Sequence, residues 1–196
     1  MFVDAWTEMT KSMLRSSRAL NRAALSLFRN EATREPLLPA VDSVAFDQHS
    51  WEFERSVDTS DEITIGDTVS FSKVLHEDDI RAFAQITGDT NRLHLDDEFA
   101  EKTRFGGRIS HGALVAGIIS AALARLPGLT IYLSQDLNFL HPVRIGDRVR
   151  GRVDVIEALA PDRYRLSTVI ETETAGQATT VVDGEAVVLI DELPDP

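Results

Sequence analysis

Residues 112–126 read Gly-Ala-Leu-Val-Ala-Gly-Ile-Ile-Ser-Ala-Ala-Leu-Ala-Arg-Leu, with no charge before Arg125. A helix that is apolar on every side is expected to be buried on every side. With fifteen residues it falls short of the roughly 17 to 25 needed to span a bilayer, which makes it a core helix. Pro127 and Gly128 terminate it.

Four stretches with strand character follow, at 130–139, 148–156, 164–173 and 179–190, joined by turn-like sequences at 141–147, 160–163 and 174–176. Residues 68–75 supply a further strand upstream. The pattern predicts an α+β fold in which an antiparallel sheet wraps around one long helix.

Between the upstream strand and the apolar helix, residues 76–87 (HEDDIRAFAQIT) carry Ile80, Phe83, Ala84 and Thr87 at helical spacing, with acids in the first turn, and Gly88 stops them. Next comes Asp89-Thr90-Asn91-Arg92-Leu93-His94. Alone, Gly-Asp-Thr-Asn is a good turn sequence, and a single histidine packs more often than it catalyses. Placement changes the reading. Asp89 falls just beyond a helix C-terminus, the electrostatically wrong end for a carboxylate, which suits a group that exchanges protons. One straight helix would set Asp89 and His94 roughly 140° apart, so only a bent connection turns both into one cavity. Asn91 can make that bend by bonding the local backbone, Leu93 anchors it, and Arg92 faces solvent. Downstream, Phe105-Gly-Gly-Arg-Ile-Ser110-His111-Gly112 leads straight into the apolar helix. An acid/base pair and a nearby donor for a developing oxyanion are thereby assembled.

On these residues the segment from about 66 to 190 resembles the MaoC-like hydratases, most closely the R-specific enoyl-CoA hydratases with a single hot-dog domain. The resemblance rests on 88–96 (GDTNRLHLD), the Ser110-His111-Gly112 helix opening, and Ile131-Tyr132-Leu133-Ser134-Gln135 with Pro142-Val143 and Gly146-Asp147. Arg92 replaces a proline usual in the family after the motif asparagine, and loses the stiffening that proline would give.

The resemblance implies that Asp89 and His94 hold and activate one water, which adds to C3 of a trans-2-enoyl-CoA while C2 is protonated, giving an (R)-3-hydroxyacyl-CoA. It matches the Gly112 amide to the donor for the thioester oxygen, a role for which a helix N-terminus is suited. Asn91, Ser110 and His111 join the substrate site. Ser120 and Leu123 match positions lining the acyl pocket, although without the resemblance core packing is the preferred reading of both. No metal or redox cofactor is implied, and the histidines at 50, 76, 94, 111 and 141 lack ligand spacing. Hot-dog thioesterases and acyl-carrier dehydratases often place an Asp or Glu on the central helix, and 112–126 has neither. A Gly-x-Ser-x-Gly hydrolase elbow is absent as well.

Composition bounds the rest. The 196 residues suit one domain with an extension, and 43% hydrophobic content supports a core. Three lysines stand against 17 arginines and 32 acids, for a net charge of −12. That balance argues against nucleic acid as a partner and resembles proteins of salt-loaded cytoplasm. The absence of cysteine fits an intracellular, disulfide-free protein, so a cytoplasmic location is expected.

Residues 1–30 differ from the remainder: Phe2, Trp6, Met9, Met13, Leu20, Ala24 and Leu27 recur at steps near three and four. Two acids and five bases give this segment +3, leaving −15 on the other 166 residues. An amphipathic helical extension is expected, able to contact a lipid or storage-granule surface, a partner enzyme, or its own acidic domain. Interspersed charges disfavour a signal peptide, and Asp4 and Glu8 disfavour a transit peptide. Residues 31–65, with Pro36, Pro39 and many acids, read as an acidic linker. The expected organisation is thus extension (1–30), linker (31–65) and hot-dog domain (66–196). A homodimer is expected because one small sheet leaves an edge. A non-catalytic scaffold that binds acyl-CoA or the granule surface is the alternative.

Overall fold

Six strands, β1 (Glu52–Arg55), β2 (Thr68–Val74), β3 (Leu129–Phe139), β4 (Arg148–Ala160), β5 (Arg163–Thr174) and β6 (Gln177–Asp191), form one sheet in the order β1-β2-β4-β5-β6-β3. Every pairing in it is antiparallel. These features come from a computed structural model that describes residues 51–174 and 177–193, all within the compact unit of residues 41–196. The expected helix over 1–30, and the expected linker as far as residue 50, lie outside the described residues.

The period of two along β4 shows why the sheet curls around a helix. Val149, Val153 and Val155 are buried, while Arg150 and Arg152 between them are exposed. Leu166 and Ile170 of β5 and Val188 and Ile190 of β6 extend the same inner face. Against it lies α4 (Gly112–Leu123), preceded by α1 (Glu77–Thr87), α2 (Arg92–Leu95) and α3 (Asp97–Glu101). Val115, Ile118, Ile119, Ala122 and Leu123 form the buried face of α4. Gly151 makes the close approach possible, since a Cβ there would stand 3.0 Å from the Ile118 carbonyl oxygen.

Two expectations are corrected. The apolar helix is not buried on every side, because the sheet wraps one flank and leaves Ala113, Gly117 and Ser120 exposed in the single chain. Its regular part also ends at Leu123 rather than Leu126. The second correction concerns 31–65, whose last part belongs to the domain. There β1 pairs with β2, Val57 and Ile63 join the core, and Trp51 meets the Phe71 ring edge-on at 5.4 Å. The acids that suggested a linker make cross-strand ion pairs, Glu52 with Arg148 at 3.3 Å and Glu54 with Arg150 at 2.6 Å.

Among the described residues, β1 and β3 are the two edges of the sheet. All four residues of β1 are exposed, and most are charged. β3 is longer and displays Leu129, Ile131, Tyr132 and Leu133 on the surface.

Candidate active site

The path from α1 to His94 is set by a run of short-range bonds. The helix ends where Gly88 adopts φ 79°, a left-handed conformation that favours glycine. Thr87 Oγ1 donates to the Phe83 carbonyl and accepts the Asp89 amide N–H. The Asp89 carboxylate takes the Asn91 N–H at 3.2 Å, and the Asn91 side chain takes the Leu93 N–H at 3.0 Å. Asn91 is therefore the N-cap of α2, and the bend the spacing demanded is made by these two side chains. It delivers His94 into a buried position while Asp89 stays exposed. Arg92 faces solvent, paired with Asp96 and lying over the Phe99 ring.

The His94 ring is held from behind, its Nδ1 lying 2.9 Å from the Ile109 carbonyl oxygen. A carbonyl only accepts, so Nδ1 carries a proton and Nε2 is the nitrogen left for another partner. His111, the N-cap residue of α4, stacks on His94 with ring centroids 4.0 Å apart. By the same reasoning His111 donates from Nε2 to the Asp89 carbonyl oxygen, at 3.1 Å. Burial holds the His111 pKa below the ordinary imidazole range; the bond to the Asp89 carbonyl opposes this in part, the neighbouring His94 adds a lesser depression, and the Asp89 charge a lesser opposing pull. A carboxylate oxygen of Asp89 and one ring nitrogen each of His94 and His111 lie within 4.8 Å of one another. This group could hold a metal ion, a grouping that sequence spacing did not suggest.

Beside His94 is a cavity of about 270 Å³ whose walls include Ile109, Ser110, Gly112, Val115, Phe139 and Val143. Arg104 and His141, both exposed, also line it. Gly112 opens α4, so its amide N–H has no acceptor within the helix and is available to a ligand. Ser110 is buried, with its N–H donating to the Val143 carbonyl at 2.8 Å.

Of the residues picked out by sequence, His94, Ser110 and Gly112 line this cavity, Asp89 and His111 adjoin His94, and Asn91 caps the short helix that carries it. Ser120 and Leu123 are placed elsewhere. Leu123 is packed in the core and Ser120 sits on the exposed stripe of α4, and neither lines the cavity. Sequence reasoning missed Phe139 and His141, which come from the far end of β3 and the residues after it, and Arg104, which directly precedes the loop leading into α4.

Comparison with known proteins bears on this geometry. Residues 49–180 match the MaoC like domain. The chain belongs to that family. This MaoC-like chain is 44% identical to a 3-hydroxybutyryl-CoA dehydratase of Methylorubrum extorquens over 132 residues, covering 66% of this chain and 82% of that protein. It is 41% identical to an (R)-specific enoyl-CoA hydratase of Rhodospirillum rubrum, covering 66% and 90%. Among solved structures, an (R)-hydratase from A. caviae involved in PHA biosynthesis superposes with a TM-score of 0.61 at 35% identity, covering 69% of this chain and all of that one. The unliganded R-hydratase of Pseudomonas aeruginosa gives 0.63, also at 35%, covering 72% and 90%. The MaoC-like domain thus has the hot-dog fold of those hydratases.

Proposed function

We propose that the protein reversibly hydrates trans-2-enoyl-CoA to (R)-3-hydroxyacyl-CoA. Hydratase or dehydratase activity is what the named relatives share. The observation that carries the reading is the placement of an Asp89 carboxylate oxygen within 4.8 Å of a ring nitrogen of His94, which lines one cavity together with Gly112. A water bonded to two such groups at about 2.8 Å, with a tetrahedral angle, sets them about 4.6 Å apart. In this reading one water bridges the two groups.

In this mechanism the water oxygen bonds to C3 as one of its protons passes to the Asp89/His94 pair. The π electrons move through C2 onto the thioester oxygen, where the Gly112 N–H meets the negative charge. Collapse of the enolate takes one proton at C2, so the net addition is one H2O. Asn91, Ser110 and His111 serve by holding the backbone around the pair. The apolar walls at Ile109, Val115, Phe139 and Val143 receive the acyl chain, and the small volume favours a short one. Arg104 and His141 face the anionic coenzyme.

The functional unit is a homodimer, joined through the β3 edge, where Ile131, Tyr132 and Leu133 are exposed. An equilibrium sedimentation mass of one chain would refute this part. The residues 1–30 segment gives the protein a peripheral contact with a lipid or granule surface, and the R product suits polyhydroxyalkanoate synthesis or fatty-acid oxidation. No helix among the described residues is long and apolar enough to cross a membrane.

The deciding assay follows loss of the conjugated enoyl-thioester absorbance with C4, C6 and C8 substrates and determines product configuration. The expected result is turnover fastest with C4 and an R product. An S product, or no turnover with any chain length, would refute the reading.

A further inference from the structure

The Arg108 side chain is only 15% exposed, and its three nitrogens are shared among three chain segments. Nη1 and Nη2 grip both oxygens of Glu77, at 3.0 and 2.8 Å, in the first turn of α1. Nε donates to Asp97 in α3 at 2.7 Å. Nη1 also donates to the main-chain carbonyl of His94 at 3.4 Å. The next residue, Ile109, supplies the carbonyl that receives the His94 Nδ1 proton. His94 is thus tied to the 108–109 segment twice, once through its backbone and once through its ring. The same segment runs through Ser110 and His111 into Gly112.

From this closed set of bonds we infer that Arg108 is a positioning residue for hydration, fixing His94 relative to the Gly112 amide by bracing both against α1 and α3. The inference rests on the activity proposed above. Arg108 touches no reacting atom and does not line the cavity. Its guanidinium suits the task because a planar fork can meet a carboxylate bidentately and still direct Nε to a second acid, which a lysine ammonium cannot do. Arg81 adds a further cation to Glu77 at 2.8 Å, so the acid end of the brace keeps its charge when Arg108 is replaced. What is lost is the link to His94.

A purely structural role would lower stability and leave turnover alone. The Lys73–Asp79 pair, 2.7 Å apart and similarly buried near the start of the same helix, provides the control. Lys73→Met should lower the melting temperature without changing kcat. Arg108→Gln should reduce kcat by about ten- to a hundredfold with KM within about twofold, since small misplacements of a reacting group carry such costs. Arg108→Lys should recover little. Asp97→Ala removes one exposed anchor and keeps the test alive if Arg108→Gln does not fold; a smaller fall in kcat is expected from it.

The second readout is the nitrogen spectrum of the His94 imidazole in labelled full-length protein, assigned against His94→Gln. The wild type should show a single tautomer protonated at Nδ1, and the Arg108 and Asp97 variants should show a mixture. An unchanged imidazole spectrum overturns the inference whatever happens to turnover, and so does an altered spectrum with wild-type kcat. If the wild type hydrates no enoyl-CoA, the functional reading falls, while the spectra still decide whether Arg108 positions His94.

Discussion

Replacing Gly112 by valine tests the oxyanion assignment most directly. A Cβ at this position would lie 3.1 Å from Cε1 and 3.4 Å from Cδ1 of Phe139. Phe139 is 57% exposed, so its ring can retreat by the few tenths of an ångström required, and the fold should tolerate the change. The γ-carbons of valine reach about 1.5 Å further, into the space a thioester oxygen must enter to meet the 112 amide. Loss of one such donor costs about 3 kcal/mol of transition-state stabilisation, or roughly 150-fold in kcat. The assay is initial-rate hydration of the C4 substrate, with melting temperature measured in parallel. Displacement of Phe139 could itself slow the enzyme, and the double variant Gly112→Val, Phe139→Ala separates the causes. A lost donor predicts that the double variant stays slow, whereas recovery of rate would mean that the ring was responsible. Wild-type kcat in folded Gly112→Val would refute the oxyanion role.

Asp89→Asn and His94→Ala should each lower kcat at least about a hundredfold, with circular dichroism and melting temperature near wild type; a folded variant retaining full turnover would remove that residue from the mechanism. The depressed His111 pKa means the unfolded chain binds a proton that the folded chain refuses. Stability should therefore fall as pH drops below the ordinary imidazole value of 6.5 towards the folded value, by at most about 1.4 kcal/mol per pH unit. Urea denaturation of His111→Gln should show a flatter dependence in that range, and an unaltered slope would mean another group titrates. A chain shortened to begin at Ile63 should unfold at lower urea than one beginning at residue 49, because it lacks Trp51, β1 and Val57; equal midpoints would show that β1 contributes nothing.

The alternation in β4 and the long apolar run of α4 made the layered fold legible, because periods of two and 3.6 are local properties of the chain. The Asp89/His94 pair was legible for a similar reason, since Gly88 and Asn91 announce the bend that joins them. What stayed hidden depends on long-range pairing. The acids of β1 read as a linker until Arg148 and Arg150 of β4 are seen to reach them across β2. Glu77 and Arg108 are 31 residues apart, and neither marks the other in sequence. The outer stripe of α4 was misread because hydrophobicity reports which surfaces can be buried, not which side a sheet will cover. Ser120 and Leu123 were drawn to the acyl pocket by resemblance, and the packing of the single chain sends them elsewhere.

The unequal edges of the sheet bear on how association stops. At one border, β1 offers four exposed residues whose Glu and Arg side chains discourage a further strand. At the other, β3 presents eleven residues with apolar groups outward. A sheet with two sticky borders could add copies head to tail without limit, as fibres do. In the proposed dimer, two copies related by a twofold axis would cover each other's β3 border and, among the described residues, leave the β1 edges facing outward, so assembly would be self-terminating. In that dimer the charge on a four-residue strand would protect against polymerisation, and neutralising Glu52 and Glu54 would weaken that protection.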